Sequence, residues 1–270
     1  MKSSGRFLMG SVCAGLWVAA AGATARAQDA KAIVQQAVAT ELEANRTDNS
    51  HWRYRRSDAD GSSFIVVETE HGAIGRHVTE GGKPASSATL AADDAQIQKF
   101  IHDPEMQRKQ RGNGAQDDKS AVELLNLMAR AFVWKIDSVT PESTTLSYRP
   151  DPSFHPPDME ARVMSAMSGS MVIDRAQHRI RTMKGRLEND VTIGFGFLAR
   201  IKAGSVFDVE RRQVAPSCWE ITETHVHISG HALFIKTIGD QEDEVKTEYT
   251  LVPLGTTLEQ AVGMMMKMVK

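Results

Sequence analysis

The stretch VTIGFGFLARIKAGSVF, residues 191–207, decides between two fold classes. Gly194, Gly196 and Ala199 have the G-x-G-x-x-A spacing of a dinucleotide-binding fingerprint, in which glycines let a backbone turn approach a pyrophosphate at a helix N-terminus. That fingerprint requires a long helix after its glycines. Here apolar residues alternate with the others, and Gly204 would end any helix after about two turns. The stretch therefore predicts a curved strand or hairpin with one buried face, and the nucleotide interpretation is rejected.

The phenylalanines of this stretch occupy the positions that alternate with the glycines. Phe195, Phe197 and Phe207 therefore belong to the buried face. They are the candidate ligand-binding residues, because they would line any apolar space between a curved sheet and the helices that cover it. The alternative is that the same side chains fill a closed core.

The remainder of the chain predicts an α+β fold. An opening helix over 29–44 and a hairpin around Asp60-Gly61 come first, followed by helical periods between 86 and 132. From Val133 onward short strands dominate, and no strand–helix–strand alternation is present, which indicates an antiparallel meander. About a dozen strands exceed what an open sheet carries without curling. We therefore predict a strongly curved antiparallel sheet, an open and incomplete β-barrel, wrapped around a few helices.

Local signals mark the ends of several elements. Pro104 should break the first helix of the 86–132 region, and the polar link RGNGAQDDK, 111–119, predicts a surface loop. Asp158 is the expected N-cap of a short helix that ends near Met167. The acidic run from Asp240 to Glu244 is interpreted as a solvated hairpin tip between strands over 231–238 and 243–251. Thr256 and Glu259 predict a capping box for the last helix.

The N-terminus predicts export. Lys2 and Arg6 precede an apolar run rich in small residues, and Ala25 and Ala27 have the A-x-A spacing of a signal peptidase site. We therefore expect a signal peptide over 1–27, a single mature domain over 28–270 with a helical insertion around 86–132, and a periplasmic location.

Composition narrows the function classes. The chain has 32 Lys and Arg against 34 Asp and Glu. The only charged residues in the signal peptide are basic, so its removal would make the chain more acidic. A net acidic mature chain argues against nucleic-acid binding. Cys218 would be the one cysteine left, which excludes an intramolecular disulfide, and we interpret it as a packed thiol. No nucleophile elbow, P-loop or HExxH motif is present, so we predict neither an enzyme nor a cofactor.

The order of elements resembles the LolA/LolB superfamily of periplasmic lipoprotein carriers. A closer resemblance, over nearly the whole mature chain, is to secreted bacterial proteins described as outer-membrane lipoprotein-sorting-like. The segments that carry it are ANRTDNSHWRYRR, IHDPEMQRK, YRPDPSFHPP, ARVMSAMSGSMVID and DVTIGFGFLARIKAGSVF. The superfamily resemblance implies a curved, incomplete barrel with an apolar cavity for acyl chains. The resemblance identifies no site residue in this chain, because no residue with a known role in the carriers matches a residue here.

Two further groups of residues raise other possibilities. His225 and His227 share one face of a strand, as in some zinc or copper sites, but a third ligand is missing, so we predict no metal and interpret them as a polar strand face. Basic clusters could receive lipid headgroups or an anionic partner surface, or could simply alternate outward from strands. They are Arg53, Arg55 and Arg56, then Arg179, Arg181, Lys184 and Arg186, and finally Arg200, Lys202, Arg211 and Arg212.

The leading hypothesis is a periplasmic, non-enzymatic protein that binds a lipid or acylated ligand and is at most peripheral to the membrane. The alternative is an interaction or sensor module with a closed core and a second envelope protein as partner. The Pro-rich loop RPDPSFHPP, 149–157, with Phe154 at its tip, is a candidate lid in the first case.

Overall fold

The computed structural model describes residues 18–193, 199–232 and 236–266. Within them the chain forms five helices and thirteen strands. The helices are α1 Val18–Thr47, α2 Ser87–His102, α3 Pro104–Met128, α4 Met159–Met164 and α5 Leu258–Met266. The strands are β1 His51–Asp58, β2 Ser63–Thr69, β3 Gly72–Glu80, β4 Lys83–Pro84, β5 Phe132–Val139, β6 Ser143–Pro150, β7 Met167–Asp174, β8 Ile180–Leu187, β9 Val191–Ile193, β10 Ala199–Ile201, β11 Val206–Ala215, β12 Cys218–Ala232 and β13 Lys236–Val252.

All strands join one antiparallel sheet that does not close. The order is β4-β3-β2-β1-β13-β12-β11-β8-β7-β6-β5, and β10 pairs with both β12 and β9 beside this path. Neighbours in sequence are mostly neighbours in space, as the predicted meander requires. The exceptions are β8, which pairs with β11, β10, which pairs with β12, and β1, which pairs with β13. The first and last strands therefore meet in the middle of the sheet. The α+β class and the open antiparallel sheet are therefore confirmed.

Helices pack on both faces of the sheet, whereas the sequence predicted helices enclosed by it. Met171 of β7 packs against α1. A continuous row of cross-strand partners leads from Met171 through β8, β11, β12 and β13 to Asp58 of β1. Val67, which packs against α5, pairs instead with Arg53. Cross-strand partners share a face and successive residues alternate, so α1 and α5 lie on opposite faces. Two separate apolar clusters follow from this arrangement.

The break before Pro104 is confirmed, and the loop predicted after it is wrong. Asp103 ends α2 and caps α3, its carboxylate accepting from the backbone N–H groups of Glu105 and Met106. From there α3 continues without interruption through 111–119. Gly112 and Gly114 face open space, so each costs only its intrinsic helix propensity, about 1 kcal/mol. Packing of the C-terminal half of the helix outweighs that cost.

The acidic run is part of a strand, so the predicted hairpin tip is wrong. Residues 240–244 lie inside β13 and pair with 224–228 of β12. Opposite charges explain why a strand tolerates them: Asp243 contacts His225, and Glu244 contacts Arg56 and Lys246. The polarity of the run indicated exposure, but the cross-strand partners that neutralise it were not visible in sequence.

Of the two predicted helix starts, one needs a shift of position and the other is confirmed. The capping box of α5 is made by Thr257 and Gln260, whose side chains accept reciprocally from each other's backbone N–H at 3.3 and 2.9 Å. The predicted pair was one residue earlier, and Thr256 instead donates to the carbonyl of Pro253. In α4 the expected N-cap is confirmed, because Asp158 accepts from the N–H of Ala161 at 2.8 Å.

The stretch at 191–207 forms a hairpin rather than a strand followed by a helix. β9 and β10 pair antiparallel, with Val191 opposite Ile201. Ala199, the last residue of the fingerprint, begins a strand where a nucleotide-binding fold needs a helix. Gly194 and Gly196 lie outside the described residues. None of the described helices is long and apolar enough to cross a membrane.

Candidate functional site

An open cleft separates the C-terminal half of α3 from α4 and the loop before it. Its volume is about 580 Å³, within the range of about 300–1,000 Å³ that is usual for small-molecule sites. Residues from both helices form its apolar surface. The residues that line the cleft are Ser120, Ala121, Glu123, Leu124, Asn126, Leu127, Arg130, Pro157, Asp158, Ala161 and Met164.

The α3 wall is fixed by the core beneath it. Leu127 and Met128 are buried in the cluster that α3 shares with α1 and β5–β8, and Leu124 packs against the same cluster. The indole Nε1 of Trp134 donates to the carbonyl oxygen of Met128 at 3.1 Å, which holds the last turn of the helix against the sheet. The lining residues of α3 are therefore anchored from behind while their outer surface stays open.

The opposite wall depends on the Pro-rich loop. Asp151 donates its backbone N–H to the carbonyl of Ala131, and its carboxylate accepts from the N–H and hydroxyl of Ser153. These hydrogen bonds lower the pKa of Asp151. Phe154 packs against the core, and Pro157 then enters the cleft lining. The loop predicted as a lid thus forms the rim that carries α4.

The cleft has a polar rim around its apolar wall. Glu123, Asp158 and Arg130 supply charges of both signs. Arg130 donates from Nε to the carbonyl oxygen of Asn126 at 3.1 Å and has no ion pair within the described part of the chain. Chemically, the arrangement can hold an apolar chain along Leu124, Leu127 and Met164 and keep a polar end in water.

The predicted ligand-binding phenylalanines do not line this cleft. Phe195 and Phe197 lie outside the described residues. Phe207 packs with the buried side chains of Met167, Leu187 and Val191, beneath α4. Met164 connects the two regions, because it packs near Phe207 and also lines the cleft. Phe207 is therefore in contact with core side chains on this face of the sheet.

The histidine strand contains no metal site within the described residues. His225 and His227 share a face of β12, as predicted, and the Nδ1 of His225 lies 2.9 Å from the Oδ1 of Asp243. No group of three or more His, Cys, Asp or Glu side chains that the structure describes is arranged to hold a metal. Cys218 is a half-buried free thiol, 3.8 Å from the hydroxyl of Ser50.

Sequence reasoning missed a buried ion cluster between α1 and the sheet. Glu41 is only 4 % exposed and lies 3.0 Å from Arg179 and 2.6 Å from Arg211. It also accepts from the N–H of Ile180 at 2.7 Å. Burial alone would raise the pKa of Glu41, but the two guanidinium groups and the backbone N–H hold it below its usual value. In the amphipathic pattern that predicts the opening helix over 29–44, Glu41 lies outside the apolar stripe, so the sequence indicated an exposed side chain.

A second missed feature is a pair of carboxyl groups that resist ionisation. Burial, and then the nearby carboxylates of Glu68 and Asp48, raise the pKa of Glu220 to about 7. Burial also raises the pKa of Glu68, although its Oε2 accepts from the N–H of Trp52 at 3.0 Å. The Nε1 of Trp52 is buried without a hydrogen-bond partner within the described residues. Isolated glutamates in strands give no sequence signal for this.

The basic clusters are largely neutralised. Arg55, Arg56, Arg200 and Arg212 each form ion pairs with acidic side chains. Arg186 is different, because its guanidinium has no ion pair or hydrogen bond to any residue the structure describes.

A sequence signal for the cleft does exist. In addition to the apolar line used to predict the helix, α3 carries Ala121, Leu124 and Leu127 at i, i+3 and i+6, a second apolar line. An apolar stripe that is wider than packing against one core requires indicates that the helix contacts a second partner.

No family model, curated protein or solved structure matches the chain.

Proposed function

We propose that this chain is a non-enzymatic envelope protein that binds a lipid or acylated ligand in the cleft between α3 and α4. The observation that carries the proposal is the cleft's apolar wall, formed by Ala121, Leu124, Leu127, Ala161 and Met164 and open to solvent. An exposed concave apolar surface next to a packed core is typical of a binding site. Met164 suits variable chains, because its thioether side chain adapts its shape.

The resemblance to LolA/LolB-like carriers supports the same ligand class. The open antiparallel sheet is compatible with that fold, but in our proposal the acyl chain lies between two helices rather than between sheet and helices. Phe207 then supports α4 from below instead of touching the ligand. The finer assignment, an incomplete LolA/LolB-like barrel for lipoprotein sorting, is part of the proposal.

Export to the periplasm completes the proposal. Burial in α1 is described from Asp29 onward, and cleavage after Ala27 would keep the buried residues Ala30, Val34, Ala37 and Val38 in the mature helix. N-terminal sequencing of the protein from a periplasmic fraction should give Gln28 as its first residue. Recovery of the uncleaved chain from the cytoplasm would overturn this part.

Ligand binding is tested with 11-(dansylamino)undecanoic acid, whose fluorescence rises in apolar surroundings. The delipidated protein should bind it saturably, and native mass spectrometry after incubation with envelope lipids should show adducts. Ala121→Trp fills the cleft and should abolish binding. Ala115→Trp, the same substitution on the exposed part of α3 outside the cleft, should not. Equal binding by both variants would overturn the proposal.

The packed environment of Phe207 favours a second candidate, an interaction or sensor module with a closed core. Crosslinking in intact cells should then capture one envelope protein, and the capture should survive Ala121→Trp. A protein whose adducts are lipids alone contradicts this second candidate.

A further inference from the structure

A second concave surface lies on the face of the sheet that points away from α1. It is a trough of about 530 Å³ that crosses β7, β8, β11, β12 and β13. The side chains of this face are polar. The residues that line it are Ser168, Gly169, Ser170, Lys184, Gly185, Arg186, Val206, Phe207, Asp208, His225, Val226, His227 and Asp243.

The strand register arranges these side chains in two rows. One row brings Ser168, Arg186 and His227 together on either side of Val206. The neighbouring row runs Ser170, Lys184, Asp208, His225 and Asp243. Because neighbouring strands lie about 4.7–4.9 Å apart, Ser168 lies one strand from Arg186, and His227 lies two strands away on the other side, about 10 Å from it.

The acidic groups of the trough are already engaged. Asp208 accepts from the ammonium of Lys184 at 2.6 Å. Asp243 contacts the Nδ1 of His225 at 2.9 Å and accepts from the Nε2 of Gln241 at 3.0 Å. These contacts hold the pKa of Asp243 below its usual value. Both carboxylates are therefore engaged by donors within the trough and offer little to a cation.

Arg186, in the first row, is exposed and has neither a hydrogen bond nor an ion pair to a described residue. Side-chain hydrogen bonds to described residues are also missing for Ser168 in the same row and for Ser170 in the neighbouring row. His227 makes no such hydrogen bond either, but it interacts electrostatically with Asp243. The floor between the two rows is backbone, because the intervening residues, Gly169 and Gly185 among them, belong to the opposite face of the sheet. A guanidinium, an imidazole and two hydroxyl groups thus face one open space.

We propose that this trough binds a phosphate group. Arg186 would hold two oxygens with its planar fork, the geometry that makes arginine the preferred phosphate ligand. Ser168 on the neighbouring strand would bind a third oxygen, and His227, two strands away on the other side, would contact the rest of a phosphorylated ligand. The site is independent of the cleft between α3 and α4, because it lies on the other face of the sheet. The phosphate has two sources, a soluble phosphomonoester or a phospholipid headgroup at a membrane surface.

The first arm of the test is titration of the full mature chain with inorganic phosphate, followed by ³¹P NMR and calorimetry. Arg186→Gln should weaken binding at least about tenfold, the loss expected for a charge-assisted hydrogen bond, and His227→Gln should weaken it less. Arg212→Gln is the matched control, because Arg212 lies on the same face and is paired with Glu210 and Glu223. Thermal unfolding of each variant checks that the fold is retained.

The second arm uses sedimentation with phosphatidylcholine vesicles, with and without phosphatidylglycerol. Cosedimentation that needs phosphatidylglycerol and is lost in Arg186→Gln identifies the headgroup as the source. Phosphate binding without cosedimentation identifies a soluble ligand. If the wild-type protein binds in neither arm, or if Arg212→Gln loses as much affinity as Arg186→Gln, the proposed site is refuted. Ala121→Trp should bind phosphate normally, which separates this result from a failure of the cleft.

Discussion

The ring of Phe207 lies directly across Gly185, its partner on the neighbouring strand. A Cβ at position 185 would overlap three atoms of that ring, and the ring is held by Met167, Leu187 and Val191. Gly185→Ala should therefore lower the free energy of unfolding by about 1–3 kcal/mol, as overpacking does. Urea denaturation measures the loss.

Gly75 provides the control for that substitution. It also lies in a paired strand, but a Cβ there would meet only ordinary contacts, the nearest at 3.7 Å from Val66. Gly75→Ala should change stability by less than about 1 kcal/mol. Equal losses at the two positions would show that the Phe207 ring moves aside without cost.

Glu41→Gln should be among the most destabilising single changes in the protein. It leaves Arg179 and Arg211 without their shared carboxylate in a buried site, and breaking such a cluster costs about 3–5 kcal/mol. Since the pKa of Glu41 is lowered in the fold, its contribution is present above the unfolded pKa of about 4.3 and is lost as pH falls through the folded value. The variant should therefore lose less stability than wild type on acidification.

Glu43→Gln is the matched control on the same helix. Glu43 is exposed and pairs only with Arg46 one turn away, so its removal should have little measurable effect. A Glu41→Gln variant as stable as this control would contradict the role assigned to the cluster.

Stability should fall as pH rises from about 4 to 7 because of Glu220. Its folded pKa, raised to about 7 by burial and by Glu68 and Asp48, exceeds the unfolded value of about 4.3. The folded state thus keeps its proton while the unfolded state releases it, and the difference is complete above the folded pKa. Glu220→Gln should remove about 1–3 kcal/mol of this pH dependence, allowing for the hydrated part of the carboxyl group. Denaturant titrations at pH 5 and 8 give the two end points, with Glu223→Gln as the control that should retain the wild-type slope.

The two glycines inside α3 offer a stabilising change. Gly112→Ala and Gly114→Ala each place a methyl group in open space and should each add up to about 1 kcal/mol through helix propensity. Thermal unfolding should show additive increases. If residues 111–119 behaved as the loop that their composition suggests, neither substitution would have this effect.

Regular local patterns predicted the elements of this fold well. Alternation located most strands, and Pro104 and Asp158 marked helix boundaries, because a proline break and an N-cap each depend on a few adjacent residues. The continuation of α3 was not predictable from the same rules, since long-range packing of its C-terminal half outweighs two glycines. Likewise, the position of the acidic run inside β13 depends on His225 and Arg56, which are remote in sequence.

The candidate sites depended even more on long-range pairing. Phe207 was identified as inward-facing because alternation defines a face, but whether a face meets a ligand or another side chain depends on what packs above it. The cleft needs α3 beside α4, and the phosphate trough needs Ser168, Arg186 and His227 on three different strands. The sequence identifies such residues one at a time, and only the strand register brings them together.

The pairing of β1 with β13 makes completion of the sheet depend on the whole chain. Trp52 lies opposite Leu251, so the first strand gains one of its two neighbours only after the last strand has been made. Such a long-range closure is slow to form, and until then one edge of β1 stays unpaired. A chain built this way therefore cannot complete its sheet until its last strand has been synthesised.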